Sequence, residues 1–116
     1  MPRFRLVITC NVPEGQEEAA TAAGKTLMAA NTTVLGGKAT EYAFYISEDK
    51  SSIVIVEEYD DDGTMLKTWT DSESFKELVP KLAAALDMAS MKSYILGDPG
   101  VAKEAVSALG TFMTAI

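Results

Sequence analysis

The stretch Tyr42 to Asp61, YAFYISEDKSSIVIVEEYDD, constrains the fold more than any other part of the chain. Two runs rich in aromatic and β-branched residues flank Glu48, Asp49, Lys50 and Ser51, a polar cluster that marks a hairpin turn. Folding about that turn sets Ile46 opposite Ile53, Phe44 opposite Ile55 and Tyr42 opposite Glu57. Side chains alternate across a strand, so these three pairs share one face. The other face carries Tyr45 with Val54, Ala43 with Val56 and Glu41 with Glu58. Both faces are largely apolar, and a sheet with two apolar faces needs two covers. The chain's own helices supply one, and a second copy of the chain is expected to supply the other.

The flanking segments read as those helices and as two further strands. Arg3 to Asn11 alternates with a period of two and marks a first strand that ends near Pro13. Glu14, Glu17 and Glu18 favour the positive end of a helix dipole, and a helix is expected from about Glu14 to Asn31, with Gly24 in its interior. Met65, Leu66 and Trp69 share a helical face in Thr64 to Asp71. Ser74 with Glu77 matches a capping box, and Phe75, Leu78, Val79, Leu82 and Leu86 continue an apolar stripe in which Pro80 predicts a kink or a restart. Met88 to Leu96 reads as a fourth strand. Asp98 and Pro99 then open a last helix of three or four turns, with Val101, Ala105, Val106, Leu109, Phe112 and Met113 at helical spacing.

Composition excludes several classes of chemistry. The 116 residues suit a single domain spanning residues 1–116. A net charge of −7 argues against a nucleic-acid surface or an anionic membrane, and no apolar run is long enough to span a bilayer. The apolar run near the N-terminus is too short for a signal peptide, so a cytoplasmic protein is expected. Cys10 is the lone cysteine, and Asp60, Asp61 and Asp62 lack the ligand spacing of a calcium loop, so no metal is expected. The chain has no histidine, which removes His-based triads, His-ligated haem and most zinc sites.

The order strand, helix, hairpin, helix, strand, helix is an α+β, ferredoxin-like βαββαβ arrangement with an extra C-terminal helix. Its four-stranded sheet carries both helices on one face, and the apolar opposite face points to a homodimer. Tyr42, Ser47-Glu48-Asp49, Glu57-Glu58-Tyr59 and Tyr94 through Gly97-Asp98-Pro99 carry a resemblance to the dimeric α/β-barrel proteins of the antibiotic biosynthesis monooxygenase superfamily, especially its small quinol monooxygenase-like members. The resemblance covers about two-thirds of the chain. It implies a dimer whose subunits each enclose a pocket between sheet and helices, and for some members oxygenation of phenols or quinols without flavin, haem or metal. The haem-degrading branch uses an asparagine on the first strand, a tryptophan and a histidine ligand; Asn11 and Trp69 are expected in comparable places, but the ligand is missing, which disfavours haem breakdown.

The resemblance therefore implies a cofactor-independent monooxygenase acting on a small aromatic molecule, with Asn11 and Trp69 as catalytic candidates. Asn11 would donate to a substrate or oxygen-derived anion, with a turn or helix cap as its structural alternative. Trp69 would form an aromatic wall and donate from its indole nitrogen, with core packing as the alternative. Tyr42, Phe44, Tyr59 and Phe75 are candidate substrate-binding residues. Glu57 shares a face with Tyr42 and serves as a base only if burial raises its pKa. The competing reading is a non-catalytic dimeric barrel that binds a small apolar ligand or is structural; a filled core would favour it, whereas an enclosed cavity reached by Asn11 and Trp69 would favour the enzyme.

Overall fold

The computed structural model describes residues 4–107 and 111–113. Its central strand, β1 (Phe4–Asn11), leads into α1 (Glu17–Leu35), the hairpin strands β2 (Glu41–Ile46) and β3 (Ser52–Tyr59), and two consecutive helices, α2 (Thr64–Asp71) and α3 (Glu73–Ala84). The long strand β4 (Asp87–Gly97) follows, then a single 3₁₀ turn, a short α4 (Lys103–Ser107) and β5 (Thr111–Met113). The sheet order is β2-β3-β1-β4-β5, with β1 antiparallel to both neighbours and β5 parallel to β4. The four longer strands and the helices reproduce the expected ferredoxin-like α+β arrangement.

The hairpin has the register its sequence predicts, from Ile46 opposite Ile53 to Glu41 opposite Glu58. The face carrying Phe4, Leu6, Cys10, Ile53, Ile55 and Ile95 is buried against the helices. On the opposite face Val7, Val54 and Val56 are only half-buried, and Tyr45 is 54% exposed. Among the described residues no helix is long and apolar enough to cross a membrane.

Local chemistry moves several boundaries. α1 starts at Glu17, because Pro13 to Gln16 forms a turn closed by the Gln16 N–H on the Pro13 carbonyl, with Glu17 accepting from the Gly15 N–H. It continues past Asn31 to Leu35 because its buried stripe, Ala20, Gly24, Leu27, Asn31 and Leu35, runs that far before Gly36 ends it in the left-handed conformation. Gly24 is inside this helix for a packing reason: an added Cβ would lie 2.5 Å from the Phe44 ring. The cap of α3 is Ser72, not Ser74. Its hydroxyl accepts from the Phe75 N–H at 3.2 Å and donates to the Trp69 carbonyl at 2.6 Å, joining the end of one helix to the start of the next.

Pro80 lies within one continuous helix, so α3 does not restart. The long C-terminal helix is not formed. After α4 the segment Thr111–Met113 pairs with Tyr94–Leu96, because the unpaired edge of β4 offers backbone partners that a longer helix would leave unused. Leu109 lies outside the described residues.

The acidic turn before α2 is a cap. Asp61 accepts from the N–H groups of Gly63 at 2.9 Å and Met65 at 2.8 Å, and Asp62 accepts from the Thr64 N–H. Gly63 has φ 96°, and a Cβ there would fall on the Pro99 carbonyl oxygen. Gly63→Ala is expected to destabilise the protein by about 1–3 kcal/mol from backbone strain, with the clash adding to it. A urea unfolding midpoint equal to that of the parent would overturn this account of the turn.

Candidate functional site

Between the sheet and α3 lies a cavity of about 170 Å³. β1 contributes Leu6, Ile8 and Cys10 to its wall, because these residues alternate onto the helix-covered face. Cys10 donates its thiol to the Asp87 carbonyl at 3.1 Å. The hairpin brings in Tyr42 and Glu57 as a cross-strand pair, and α2 and α3 close the space with Trp69 and Phe75. The Trp69 ring meets Tyr42 and Phe75 edge-on, with centroids 5.8 Å and 5.4 Å away.

Glu57 is the one carboxylic acid among the described lining residues, and it is only 5% exposed. Burial pushes its carboxyl up from 4.5 to about 7, against the opposing effect of the Tyr59 hydroxyl, which donates to Oε1 at 2.7 Å. Burial, and then the neighbouring Glu57 charge, raise both Tyr42 and Tyr59 above the ordinary tyrosine range. Both phenols stay protonated, and Tyr59 donates to Glu57. The Trp69 indole N–H is near enough to the Tyr42 hydroxyl to temper that rise, yet it makes no well-formed hydrogen bond. The geometry leaves it a buried donor at the cavity wall.

A fifth polar group lies behind these four. Asn31 of α1 is 2% exposed, and its Nδ2, without a well-formed hydrogen bond of its own, is close enough to the Tyr59 hydroxyl to draw that pKa down. The resulting order is Asn31, Tyr59, Glu57, then the cavity. Sequence reading placed Asn31 at a helix end and missed it. The available signal was its four-residue spacing from Leu27 and from Leu35, which puts it on the buried stripe.

The expected site residues divide. Trp69, Tyr42 and Phe75 line the cavity, and Tyr59 reaches it through Glu57. Phe44 does not line it; its ring packs beneath Gly24. Asn11 is not brought to Trp69. It is exposed, its position in β1 alternates onto the opposite face from Cys10, and its backbone N–H donates to the Ser90 hydroxyl at 2.8 Å. It does not cap α1 either, since that helix begins at Glu17.

This arrangement of sheet and helices matches known structures. A protein of Methanosarcina mazei is 22% identical over 84% of this chain and 94% of its own, with a TM-score of 0.71. A proposed antibiotic biosynthesis monooxygenase from Nitrosomonas europaea is 14% identical over 81% of this chain and 96% of its own, with a TM-score of 0.69. The chain has the antibiotic biosynthesis monooxygenase fold. A protein of Bacteroides thetaiotaomicron described as a possible oxidoreductase shares this fold at 20% identity, over 79% of this chain and 93% of its own, with a TM-score of 0.66. No family model and no curated protein sequence matches the chain.

The raised pKa of Glu57 has a thermodynamic sign. Below pH 4.5 the carboxyl is protonated in both folded and unfolded chains. Between pH 4.5 and about 7 the unfolded chain has lost the proton that the folded chain keeps, so stability falls as pH rises through that window. Above about 7 no further loss comes from this group. The slope is at most ~1.4 kcal/mol per pH unit. Urea unfolding from pH 5 to pH 7.5 is expected to show a steeper decline for the parent than for Glu57→Gln, and parallel curves would exclude a buried titrating Glu57.

Proposed function

We propose that the chain is a cofactor-independent monooxygenase that oxidises a small phenol or quinol with dioxygen. The supporting observation is a single carboxylic acid of near-neutral pKa at the wall of an otherwise apolar cavity, flanked by the Tyr42 hydroxyl and the Trp69 indole N–H. The fold shared with a proposed antibiotic biosynthesis monooxygenase and a possible oxidoreductase agrees with it.

Glu57 takes the hydroxyl proton of the bound phenol. A base with a pKa near the working pH combines availability with driving force. The phenolate then supplies electrons to dioxygen. One oxygen atom bonds to the ring as a new carbonyl and the other leaves as water, which also takes up the hydroxyl proton and the hydrogen of the attacked carbon. The phenol becomes a quinone and provides every electron, so no other reductant enters. Tyr42 and Trp69 donate to the developing oxyanion in a site where water is scarce.

Oxygen uptake by metal-stripped protein with a panel of phenols and hydroquinones, corrected for autoxidation with heat-denatured protein, tests this reading. Saturable uptake is expected, rising with pH through about 7 as Glu57 ionises. Glu57→Gln should lower kcat by about 10²-fold or more and remove that pH dependence. Uptake absent across the panel would move the assignment to a ligand-binding protein without catalysis, and uptake unchanged in Glu57→Gln would overturn the role of Glu57 as base.

The chain is further proposed to form a homodimer through the sheet face turned away from the helices. Half-buried Val7, Val54 and Val56 beside exposed Tyr45 form an apolar surface of the kind that pairs in twofold assemblies. Static light scattering should report a dimer. Val54→Asp should give a folded monomer, whereas Ile55→Asp, on the helix-covered side, should abolish folding. A monomeric parent protein would overturn the proposal.

A further inference from the structure

The cavity is elongated. Its wall includes Leu6 and Cys10 on β1, and Ile53 and Glu57 on β3. Each pair is separated by a length of strand that spans about 13 Å. α3 covers the same length, since Phe75 and Ala83 both line the cavity and lie about 12 Å apart along the helix axis. The space is therefore a slot along the strands. A compact apolar cavity of about 150 Å³ holds one benzene ring. About 170 Å³ drawn out along the slot suits one ring and a thin extension.

The two ends differ in chemistry. Glu57 lies opposite Leu6 in the register and, with Tyr42 and Trp69, makes the inner end polar. At the other end Met88 follows Asp87, which lies opposite Asn11. Met88 lines the slot and is also 45% exposed, so the slot meets the surface there. The wall beside this mouth is Leu86, Met88 and Met91, and methionines adapt to chains of varied shape. No described lining residue is cationic.

We infer that the slot takes a single-ring phenol or hydroquinone bearing an unbranched apolar chain, its hydroxyl at Glu57 and its chain leaving past Met88. The inference rests on the phenol-binding role of Glu57 proposed above. A second fused ring keeps the full ring width over a greater length, and about 170 Å³ leaves room beyond one ring only for a thinner extension; an anionic chain end would meet methionines without a counter-charge.

Trp69 is the only tryptophan in the sequence, so its fluorescence reports occupancy of this cavity. The test titrates the protein, in the absence of oxygen, with para-methyl-, para-propyl- and para-pentylphenol, with naphthol, and with para-hydroxyphenylpropionate. Affinity is expected to rise roughly fourfold per methylene, naphthol to bind more weakly than para-propylphenol, and the carboxylate to cancel the gain from its chain. Met88→Asp should reduce the gain per methylene. Affinity independent of chain length, tighter binding of naphthol, or no phenol binding at all would overturn the inference. Oxygen uptake is measured separately. Chain-dependent binding without uptake would overturn the oxygenase reading and leave this one standing, and uptake with flat chain dependence would do the reverse.

Discussion

The register of the hairpin, with Tyr42 opposite Glu57, is the constraint on which both the sheet and the cavity depend. A slip by one residue would carry Glu57 to the open face and put Glu58 beneath the helices. The turn prevents that slip. Asp49 Oδ1 accepts from the Ser47 hydroxyl at 2.8 Å and from the Ser51 N–H and hydroxyl at 3.0 Å and 2.7 Å. These bonds, Ser51's first among them, hold the Asp49 carboxyl down to about 2, so the turn stays charged and intact across the pH range in which Glu57 titrates. Lys50 adopts φ 60° to complete it.

Why a cavity remains beneath α3 follows from what fills the space beneath α1. Ala20 and Gly24 give α1 a small-residue face, and the missing side chain at Gly24 admits the Phe44 ring. Aromatic volume on β2 is thereby used under α1. On the other side Trp69 is held edge-on between Tyr42 and Phe75, an arrangement that fixes one wall without filling the space beyond it. Ser72 keeps this wall in place, because it ties the Trp69 carbonyl to the Phe75 N–H across the break between α2 and α3.

The hairpin register was legible because a polar turn and a period of two are local signals that no distant contact overrides. The separation of Asn11 from Trp69 was half legible. Period two puts Asn11 with Val7 and Thr9, opposite Leu6 and Cys10, but with both hairpin faces apolar the alternation does not say which one the helices cover. Asn31 was hidden because a polar residue beyond Met28 reads as a helix end, and only its burial reveals otherwise. The C-terminal helix failed for a similar reason. Val101 to Met113 has helical spacing, yet the pairing of Thr111–Met113 is decided by the open edge of β4, which is distant in sequence.

Glu57 and Glu58 are adjacent, both nearly buried, and treated oppositely by the fold. Glu58 faces away from the helices and is paired with Arg5, so its charge has a partner. Glu57 faces a slot without a cation among the described lining residues, and its hydrogen-bonding neighbour among the described residues is the Tyr59 hydroxyl. Burying a carboxyl in that setting opposes folding at neutral pH, where a glutamine of the same shape would carry no such penalty. Its position also offers no packing advantage that an apolar residue would lack. A cost of this kind, concentrated on one acid at the polar end of an apolar slot and beside the Trp69 indole N–H, agrees with the proposed role of Glu57 as acceptor of a ligand's proton.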